Sequence, residues 1–248
     1  MPTFQIAFTQ MCGQAKAKNE DALCANHECY TMKNLKTRWV DNASLPIRLA
    51  VADGVHQSPQ PHLASQFWIK RWAQSGECQA MFFQAAFDDF CANVPFGSST
   101  TFVGLTMDEM GRYAVANLGD SRAYHISADG KWTQISYDHS LINEMIKNGE
   151  AQAGVEYSGI YQALEHCLIA DSMEDTFTQH IHYHRGEIGS GEAILLCSDG
   201  LYDALSHETL ERIWQSQNDL ATRLHQLKMA VKRTHYYDDC SIVCVQAS

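Results

Sequence analysis

A run of apolar residues that stops at an aspartate and a glycine constrains the fold of this chain more than any other feature. One such run begins at Leu195 and reaches Asp199 and Gly200, and a second reaches Asp53 and Gly54. Short apolar runs bounded in this way are typical of buried β-strands. A carboxylate at the end of a rigid strand is well placed to hold a metal ion.

A shared divalent-cation centre would explain why acidic residues stand at several predicted strand ends and turns. Hard carboxylate oxygens favour Mg²⁺, Mn²⁺ or Ca²⁺ over zinc. Two such ions about 3.5–4 Å apart can share a water molecule and lower its pKa. The alternative is that these residues are turn and cap residues, because Asp before Gly is common in turns. The acidic candidates are Glu20, Asp21, Asp53, Asp120, Asp199, Asp203, Asp238 and Asp239.

Composition and charge limit the classes of protein to which this chain can belong. The chain has 248 residues, 45% hydrophobic and 19% charged, as in ordinary globular proteins, and we expect one domain over 1–248. Its net charge of −11 argues against nucleic acid as the main partner, because phosphate backbones attract Lys and Arg. No stretch approaches the roughly 18 apolar residues that cross a membrane, and no secretory signal is visible, so we expect a cytoplasmic protein. Its nine scattered cysteines are then expected to be reduced thiols.

Strand and helix patterns occur in groups along the chain. Helical stretches are predicted at 63–72, 79–92 and 140–149, and two more follow Ser206, which is a good N-cap. Turn residues after 107, 118 and 127 predict an antiparallel meander of four strands. Strands in series, with helices grouped apart from them, predict an α+β fold in which helices cover sheets. The predicted strands are 4–10, 47–53, 101–107, 113–118, 122–127, 193–197 and 241–245.

Seven short motifs follow one another along almost the whole chain. They are KNEDA at 18–22, ADG at 52–54, GSSTT at 97–101, NLGDSRAY at 117–124, DHSL at 138–141, SDGLYD at 198–203 and DDCS at 238–241. In this order they resemble the motifs of the metal-dependent PP2C-type Ser/Thr phosphatases, the PPM family. The NLGDSRAY match is very specific, and the compact length is similar to that of the bacterial branch.

The resemblance implies a fold and a binuclear metal site. The fold would be a sandwich of two antiparallel sheets flanked by helix pairs, with two Mg²⁺ or Mn²⁺ ions at one end. Carried over by position, Asp53 would bridge both ions, and the carbonyl group of Gly54 would bind one of them. Asp199 and Asp238 would complete the ligands of one ion.

Further ligands and the reaction also follow from the resemblance. Glu20 and Asp21 would act on the other ion, directly or through water. A third ion, which bacterial relatives often bind, would be held by Asp120, Asp199 and Asp203. The implied reaction is attack on phosphoserine or phosphothreonine by a hydroxide that bridges two divalent cations, without a phosphoenzyme.

Two positions depart from the family pattern. Lys16 stands where the family usually carries a phosphate-binding Arg, and we expect it to bind phosphate as a point charge, either more weakly than Arg or with assistance from Lys18. Val55 occupies the place of the general-acid histidine of the animal enzymes. His56 or His62 is therefore the candidate proton donor for the leaving group, with water as the alternative.

Two segments near these motifs need separate interpretations. Residues 148–174 correspond to the flap of the family beside the active site, and such loops often govern substrate choice. His180, His182 and His184 alternate, so a strand would place them on one face about 6.6–6.8 Å apart. Since a tetrahedral zinc site needs convergent ligands, we expect a solvated strand face instead.

The resemblance predicts phosphorylated proteins as substrates, with a cognate Ser/Thr kinase as the opposing partner. We expect no membrane or nucleic-acid partner, and a monomer. A phosphoprotein-binding or kinase-binding pseudophosphatase is the alternative, motivated by Lys16 and by the changed run after Gly54. A hydrolase of small phosphomonoesters is a third hypothesis.

Overall fold

The structure is a computed structural model that describes residues 3–41, 43–155, 157–173 and 176–248. Its described strands form two six-stranded sheets and one two-stranded sheet. The strands are β1 (Phe4–Met11), β2 (Ala22–Ala25), β3 (Glu28–Tyr30), β4 (Asn34–Asp41), β5 (Ile47–Ala52), β6 (Ser99–Thr100), β7 (Phe102–Met107), β8 (Arg112–Leu118), β9 (Arg122–Ile126), β10 (Trp132–Gln134), β11 (Leu168–Ile169), β12 (His182–Glu187), β13 (Ala193–Cys197) and β14 (Cys240–Ala247). The helices are α1 (Pro61–Ser75), α2 (Ala80–Asn93), α3 (Leu141–Lys147), α4 (Asp199–Tyr202), α5 (His207–Gln215) and α6 (Leu220–Lys232).

The two large sheets pack face to face as a sandwich. The strand order is β10-β9-β13-β14-β1-β4 in the first sheet and β12-β8-β7-β5-β2-β3 in the second. Inner-face side chains of both sheets, among them Phe8, Leu49 and Val243, form one buried cluster. The pair α1 and α2 covers the outer face of the second sheet, and α5 and α6 cover that of the first. This arrangement confirms the predicted α+β sandwich flanked by helix pairs.

The last two long helices begin where their capping residues predict. The side-chain oxygen of Ser206 accepts a hydrogen bond from the amide of Thr209 at 3.3 Å, and Asp219 does the same for Thr222 at 2.8 Å. Such caps satisfy amide groups that a helix start leaves free. The predicted apolar stripe of α6 is buried, and it consists of Leu220, Leu224, Leu227 and Val231. None of the described helices has the length and apolar character to span a membrane.

The turn at Gly119 carries the chain from one sheet to the other, so the predicted four-strand meander is wrong at this point. The hairpins β7–β8 and β9–β10 form as predicted, but β8 and β9 belong to different sheets. Gly119 has a φ of +104°, and a Cβ atom there would lie 2.6 Å from the Cβ atom of Thr101. This turn leaves Asp120 at the edge of a cavity that both sheets line.

Strand register brings the acidic residues to one end of the sandwich. β2 begins opposite the end of β5, which makes Asp21 and Asp53 neighbours. β14 begins opposite the end of β1. Because β13 ends opposite the first residues of β14, Asp199 lies near Asp238 and Asp239. Three of the predicted acidic sites therefore meet, although they are far apart in sequence.

The histidine-rich segment does not form the solvated strand face that alternation predicted. β12 begins at His182, so His180 precedes the strand, and its ring stacks on that of His166 with 3.8 Å between centroids. His182 and His184 are half-buried, because they lie on the same sheet face as their buried cross-strand neighbours Asn117 and Val115 of β8. The exposed face of β12 instead carries Tyr183, Arg185 and Glu187.

The flap-like segment 148–174 includes positions 156 and 174, which lie outside the described residues. Within the described part, β11 pairs with β6, and a β-bridge joins Leu164 to Ser140. The amide of Leu141 also donates to the carbonyl group of Ala163 at 2.9 Å. These contacts place Leu164 beside the acidic end of the sandwich.

Candidate metal centre

A cavity of about 190 Å³ opens where the strand ends meet. Six of the predicted site residues line it together with Lys16, the predicted phosphate-binding lysine, so four of the acidic positions converge as the sequence indicated. The carboxylates come from the residue after β5, the first residue of α4, the turn after β8 and the segment before β14. The lining residues are Lys16, Asp53, Gly54, Val55, His56, Thr101, Asp120, Leu164, Asp199 and Asp238.

Backbone hydrogen bonds fix Asp53 and Gly54 at the end of β5. The amide of Thr101 donates to the carbonyl group of Asp53 at 2.8 Å, and the Thr101 hydroxyl accepts from the amide of Asp53 at 3.1 Å. A Cβ atom at Gly54 would lie 2.6 Å from the carbonyl carbon of Pro61 and 2.8 Å from the backbone oxygen of Glu20. Only glycine allows these backbones to approach so closely.

Asp21 lies beneath the cavity and is almost completely buried. One carboxylate oxygen accepts hydrogen bonds from the hydroxyl groups of Ser198, at 2.8 Å, and Ser241, at 2.7 Å. Its other oxygen has no hydrogen-bond partner among the described residues. Burial and the charge of Asp239 raise the pKa of Asp21 to about 8, despite the two hydroxyl donors.

The cavity carboxylates also raise one another's pKa. Removal from water, followed by the charges of Asp21 and Asp199, raises the pKa of Asp53 well above its ordinary value. Burial and then Asp199 raise the pKa of Asp120 to about 7. Burial, with a contribution from Asp238, raises that of Asp199. Carboxylates in this state repel one another until protons or cations neutralise them.

Lys16 lies among three carboxylates at the rim of the cavity. Its ammonium nitrogen is 2.6 Å from Asp238, 2.9 Å from Glu20 and 3.2 Å from Asp239, and its side chain is 12% exposed. Burial alone would lower the pKa of Lys16, but hydrogen bonds to Asp238 and Glu20 raise it above its ordinary value. The residue is therefore a permanent cation inside an acidic site.

Asp239 has a structural role that the sequence did not separate from that of Asp238. It is buried, and its carboxylate accepts from the amide of Gly13 at 2.7 Å and from that of Glu20 at 2.8 Å. It thereby holds the loop that carries Lys16 and Glu20 against the start of β14. Thr101 and Leu164 are further cavity residues that were not predicted, although Thr101 lies in the GSSTT motif.

His56 and Asp203 lie at the edges of the site. The ring nitrogen Nδ1 of His56 is 2.8 Å from the carboxylate of Glu20, and the side chain is 71% exposed. Asp203 is exposed and does not line the cavity. Partial removal of its carboxyl group from water, followed by the charge of Asp199, still raises the pKa of Asp203 to about 6, so Asp203 interacts electrostatically with the site. His62, the second predicted proton donor, is not among the residues that line the cavity.

The chemistry of these donor groups fits hard divalent cations. Carboxylate oxygens and a backbone carbonyl group are the ligands that Mg²⁺ and Mn²⁺ prefer. The buried, unpartnered oxygen of Asp21 and the mutual repulsion of Asp53 and Asp199 are features that positive charge would relieve. In the described parts of the chain, no three Asp, Glu, His or Cys side chains already surround one point closely enough to ligate an ion. The assignment of individual ligands therefore stays a prediction.

We expect Asp120→Asn to stabilise the metal-free protein more at pH 8 than at pH 5.5. The pKa of Asp120 in the folded protein, about 7, lies above its ordinary value of 3.8. The folded state thus binds more protons between these values, and the stability that Asp120 contributes is lost as the pH rises through 7. The asparagine variant does not titrate there. Its advantage in unfolding free energy should grow by on the order of 2 kcal/mol between the two pH values.

Urea unfolding in the presence of a chelator measures this difference. Asp88→Asn is the matched control, because Asp88 is exposed on α2. The control should change stability equally at both pH values. A difference for Asp120→Asn that is independent of pH would contradict the expectation.

Arg122 joins three parts of the chain next to the cavity through contacts that we call the Arg122 clamp. It binds the carboxylate of Asp138 through two nitrogens, at 3.0 and 2.6 Å. Its guanidinium carbon lies 3.4 Å from the centre of the Tyr202 ring. The hydroxyl group of Tyr202 in turn donates to the carbonyl group of Asp120 at 3.0 Å. The clamp connects β9, the DHSL motif and α4, and it supports the backbone of Asp120.

Arg122→Lys should lower the free energy of unfolding by about 1–2 kcal/mol, because lysine has neither the planar fork nor the stacking surface of arginine. Arg112→Lys is the matched control, since Arg112 pairs with Asp108 in an exposed hairpin turn. Such exposed pairs contribute about 0–1 kcal/mol. Chemical unfolding of both variants measures the difference, and equal losses would show that the clamp adds no stability.

Sequence comparison finds curated bacterial relatives. No protein-family model matches the chain. The Ser/Thr protein phosphatase PstP of Mycobacterium tuberculosis is 28% identical over 213 residues, which cover 79% of this chain and 39% of PstP. The Ser/Thr phosphatase stp of Listeria innocua is 28% identical over 130 residues, covering 51% of this chain and 48% of the relative. The chain thus matches less than half of the length of these relatives.

Structural comparison finds the same group. The crystal structure of PstP/Ppp from M. tuberculosis has a TM-score of 0.75 at 23% identity and covers 98% of both chains. A structure of the PstP catalytic domain in complex with two manganese ions has a TM-score of 0.74 at 23% identity, covering 100% of this chain and 99% of that one. At this identity the likeness shows the shared fold. The chain is thus similar in sequence to bacterial Ser/Thr phosphatases and shares the fold of their solved structures.

Proposed function

We propose that this protein is a metal-dependent phosphatase that hydrolyses phosphoserine and phosphothreonine in other proteins. The convergence of Asp53, Asp120, Asp199 and Asp238 with Lys16 around one cavity carries the proposal. It supplies both a strongly acidic cation site and a positive group for a phosphate. The named relatives are phosphatases, which does not favour a binding module without turnover.

These residues would hold two Mg²⁺ or Mn²⁺ ions. Asp53 would be a ligand of both ions and the carbonyl group of Gly54 a ligand of one, Asp199 and Asp238 would complete the ligands of one ion, and Glu20 and Asp21 would act on the other, directly or through water. Such ions supply a water activated at neutral pH and neutralise charge on the phosphoryl group. A manganese-bound structure of the PstP catalytic domain supports this choice of cofactor. We extend the proposal to a third ion at Asp120, Asp199 and Asp203.

Two residues of this chain would act on the substrate itself. The ammonium group of Lys16 reaches the cavity from its rim and would bind the phosphate oxygens as a point charge. The exposed ring of His56 lines the same cavity, where it would give a proton to the leaving serine or threonine oxygen. Its hydrogen bond with Glu20 would orient the ring.

Phosphoproteins are the proposed substrates, and a Ser/Thr kinase is the proposed opposing enzyme. Because both sheets share one buried cluster, we also propose that the chain forms a single phosphatase domain. The cavity is open and only about 190 Å³ in volume, which suits a phosphorylated side chain presented from a larger molecule.

The decisive experiment measures phosphate release from a phosphothreonine peptide with Mn²⁺, with Mg²⁺ and with excess chelator. We expect turnover with either ion and none with chelator. Parallel kinetics with small phosphomonoesters should give a lower kcat/KM than the peptide does. Turnover that resists complete chelation would contradict the metal-dependent mechanism, and faster hydrolysis of small monoesters would contradict the assignment to proteins.

A further inference from the structure

A groove of about 620 Å³ lies on the outer face of the first sheet, between the edge strand β4 and helix α6. We call it the β4–α6 groove, and its walls include Lys36, Thr37, Trp39, His225, Met229 and Lys232. It shares no lining residue with the acidic cavity. Its size lies in the range of about 300–1,000 Å³ that is common for ligand sites.

The groove is positively charged in a protein that is otherwise acidic. Lys36 and Lys232 are exposed, and no described carboxylate lies within ion-pair distance of either. Asp219 is the acidic residue of the lining, and its carboxylate is engaged as the N-cap of α6. Since the whole chain carries a net charge of −11, this local excess of lysine is a distinct feature of the surface.

Lys228 makes the lysine-bearing wall of the β4–α6 groove rigid. Its ammonium group is buried and donates to the backbone oxygens of Gln10, at 3.1 Å, and Leu35, at 2.7 Å, and to the side chain of Asn34, at 2.7 Å. All three donors are therefore used within the protein, and the charge has no carboxylate partner among them. The side chain ties α6 to β1 and β4, so the groove is formed before any partner binds.

An exposed aromatic residue lies beside these charges. Trp39 projects from β4 toward the side of the sheet that α6 covers, and 58% of its surface is exposed. Tryptophan is strongly enriched among the hot-spot residues of binding interfaces. β4 is an edge strand, so one row of its backbone hydrogen-bonding groups pairs with none of the described strands.

We propose that the β4–α6 groove docks an extended acidic peptide segment of a partner protein. Its carboxylates would meet Lys36 and Lys232, and an apolar side chain would cover Trp39 and Met229. Charge complementarity decides between acidic and basic partners, because a basic segment would be repelled here and attracted elsewhere on the protein. The proposal does not depend on phosphatase activity, since the groove is separate from the acidic cavity.

Selection from a library of displayed twelve-residue peptides against the whole protein tests the proposal. We expect the enriched peptides to contain several Asp or Glu residues next to an apolar residue. Their affinity, measured by fluorescence anisotropy, should fall by ~10-fold or more in the double variant Lys36→Glu, Lys232→Glu, and also in Trp39→Ala. Raising the salt to 0.5 M should weaken binding further.

The double variant Lys70→Glu, Lys147→Glu is the matched control, because it makes the same change in net charge at exposed lysines outside the groove. It should bind the selected peptides as the unchanged protein does, and thermal unfolding should show that all variants are folded. The proposal is overturned if acidic peptides are not enriched, or if both double variants lose affinity equally. A concentration-dependent dimer that Lys36→Glu, Lys232→Glu abolishes would assign the groove to a second copy of the chain and would overturn it as well.

Discussion

Asp53→Asn should reduce Mn²⁺-dependent hydrolysis of a phosphothreonine peptide by more than ~10³-fold, equivalent to about 4 kcal/mol of transition-state stabilisation. The proposed role of Asp53 is to place one charged carboxylate between two cations. An amide keeps the shape but carries no charge, and its nitrogen cannot act as a ligand. Both the affinity for the ions and the activation of water should therefore fall.

The same substitution should make the metal-free protein more stable. Asp53 is held close to Asp21 and Asp199, whose charges raise its pKa. Removing its charge relieves this repulsion while the backbone contacts to Thr101 remain. A variant that gains stability as it loses activity is the expected sign of a site in which function opposes stability.

Thermal unfolding with and without Mn²⁺ measures the stability of the Asp53→Asn variant and its response to the metal. Ligand binding stabilises the folded state by about 2.7 kcal/mol at a hundred times the dissociation constant, so the unchanged protein should gain stability with Mn²⁺. Asp53→Asn should gain much less. Asp88→Asn, on the exposed face of α2, should behave as the unchanged protein in both assays. Activity of Asp53→Asn within tenfold of the unchanged protein would refute the bridging role.

The acidic strand ends could be predicted from sequence because their signal is local. An apolar run followed by Asp and Gly marks the end of β5 just before Asp53 and the end of β13 shortly before Asp199. The apolar stripe of α6 and its start near Asp219 are likewise local, since periodicity and caps lie within the segment. The assembly of these elements into a sandwich came from the resemblance, because local patterns do not specify which sheets face each other.

The features of the structure that the sequence did not predict depend on contacts between distant segments of the chain. A Gly-Asp turn between two strands is typical of a hairpin, and only the pairing of β8 with β12 and of β9 with β13 shows that Gly119 changes sheets. Asp238 and Asp239 have the same chemistry, and the register of β14 against β1 decides which of them faces the cavity. The resemblance placed segment 148–174 beside the active site, but the sequence carries no signal for the bridge to Ser140 that brings Leu164 to the cavity.

Lys16→Ala should lower kcat/KM for a phosphopeptide by about 10²-fold, and Lys16→Arg should retain most of the activity or exceed it. The ammonium group is the positive charge that lines the cavity, and its loss removes the proposed contact with the substrate phosphate. Arginine restores that charge and can form a bidentate pair of hydrogen bonds with the phosphate. Lys70→Ala, at an exposed position on α1, should have no effect.

The effect of Lys16→Ala on stability separates substrate binding from a purely structural role. Lys16 holds Glu20, Asp238 and Asp239 together across the first and last motifs. Without it, the metal-free protein should be less stable and should gain more stability from Mn²⁺ than the unchanged protein does, because cations then become the main counter-charge of these carboxylates. If the kinetic loss disappears at saturating Mn²⁺, Lys16 acts only by organising the carboxylates. If the loss persists when the metal sites are filled, the lysine acts on the phosphate, and an equal loss in Lys18→Ala would transfer that role to Lys18.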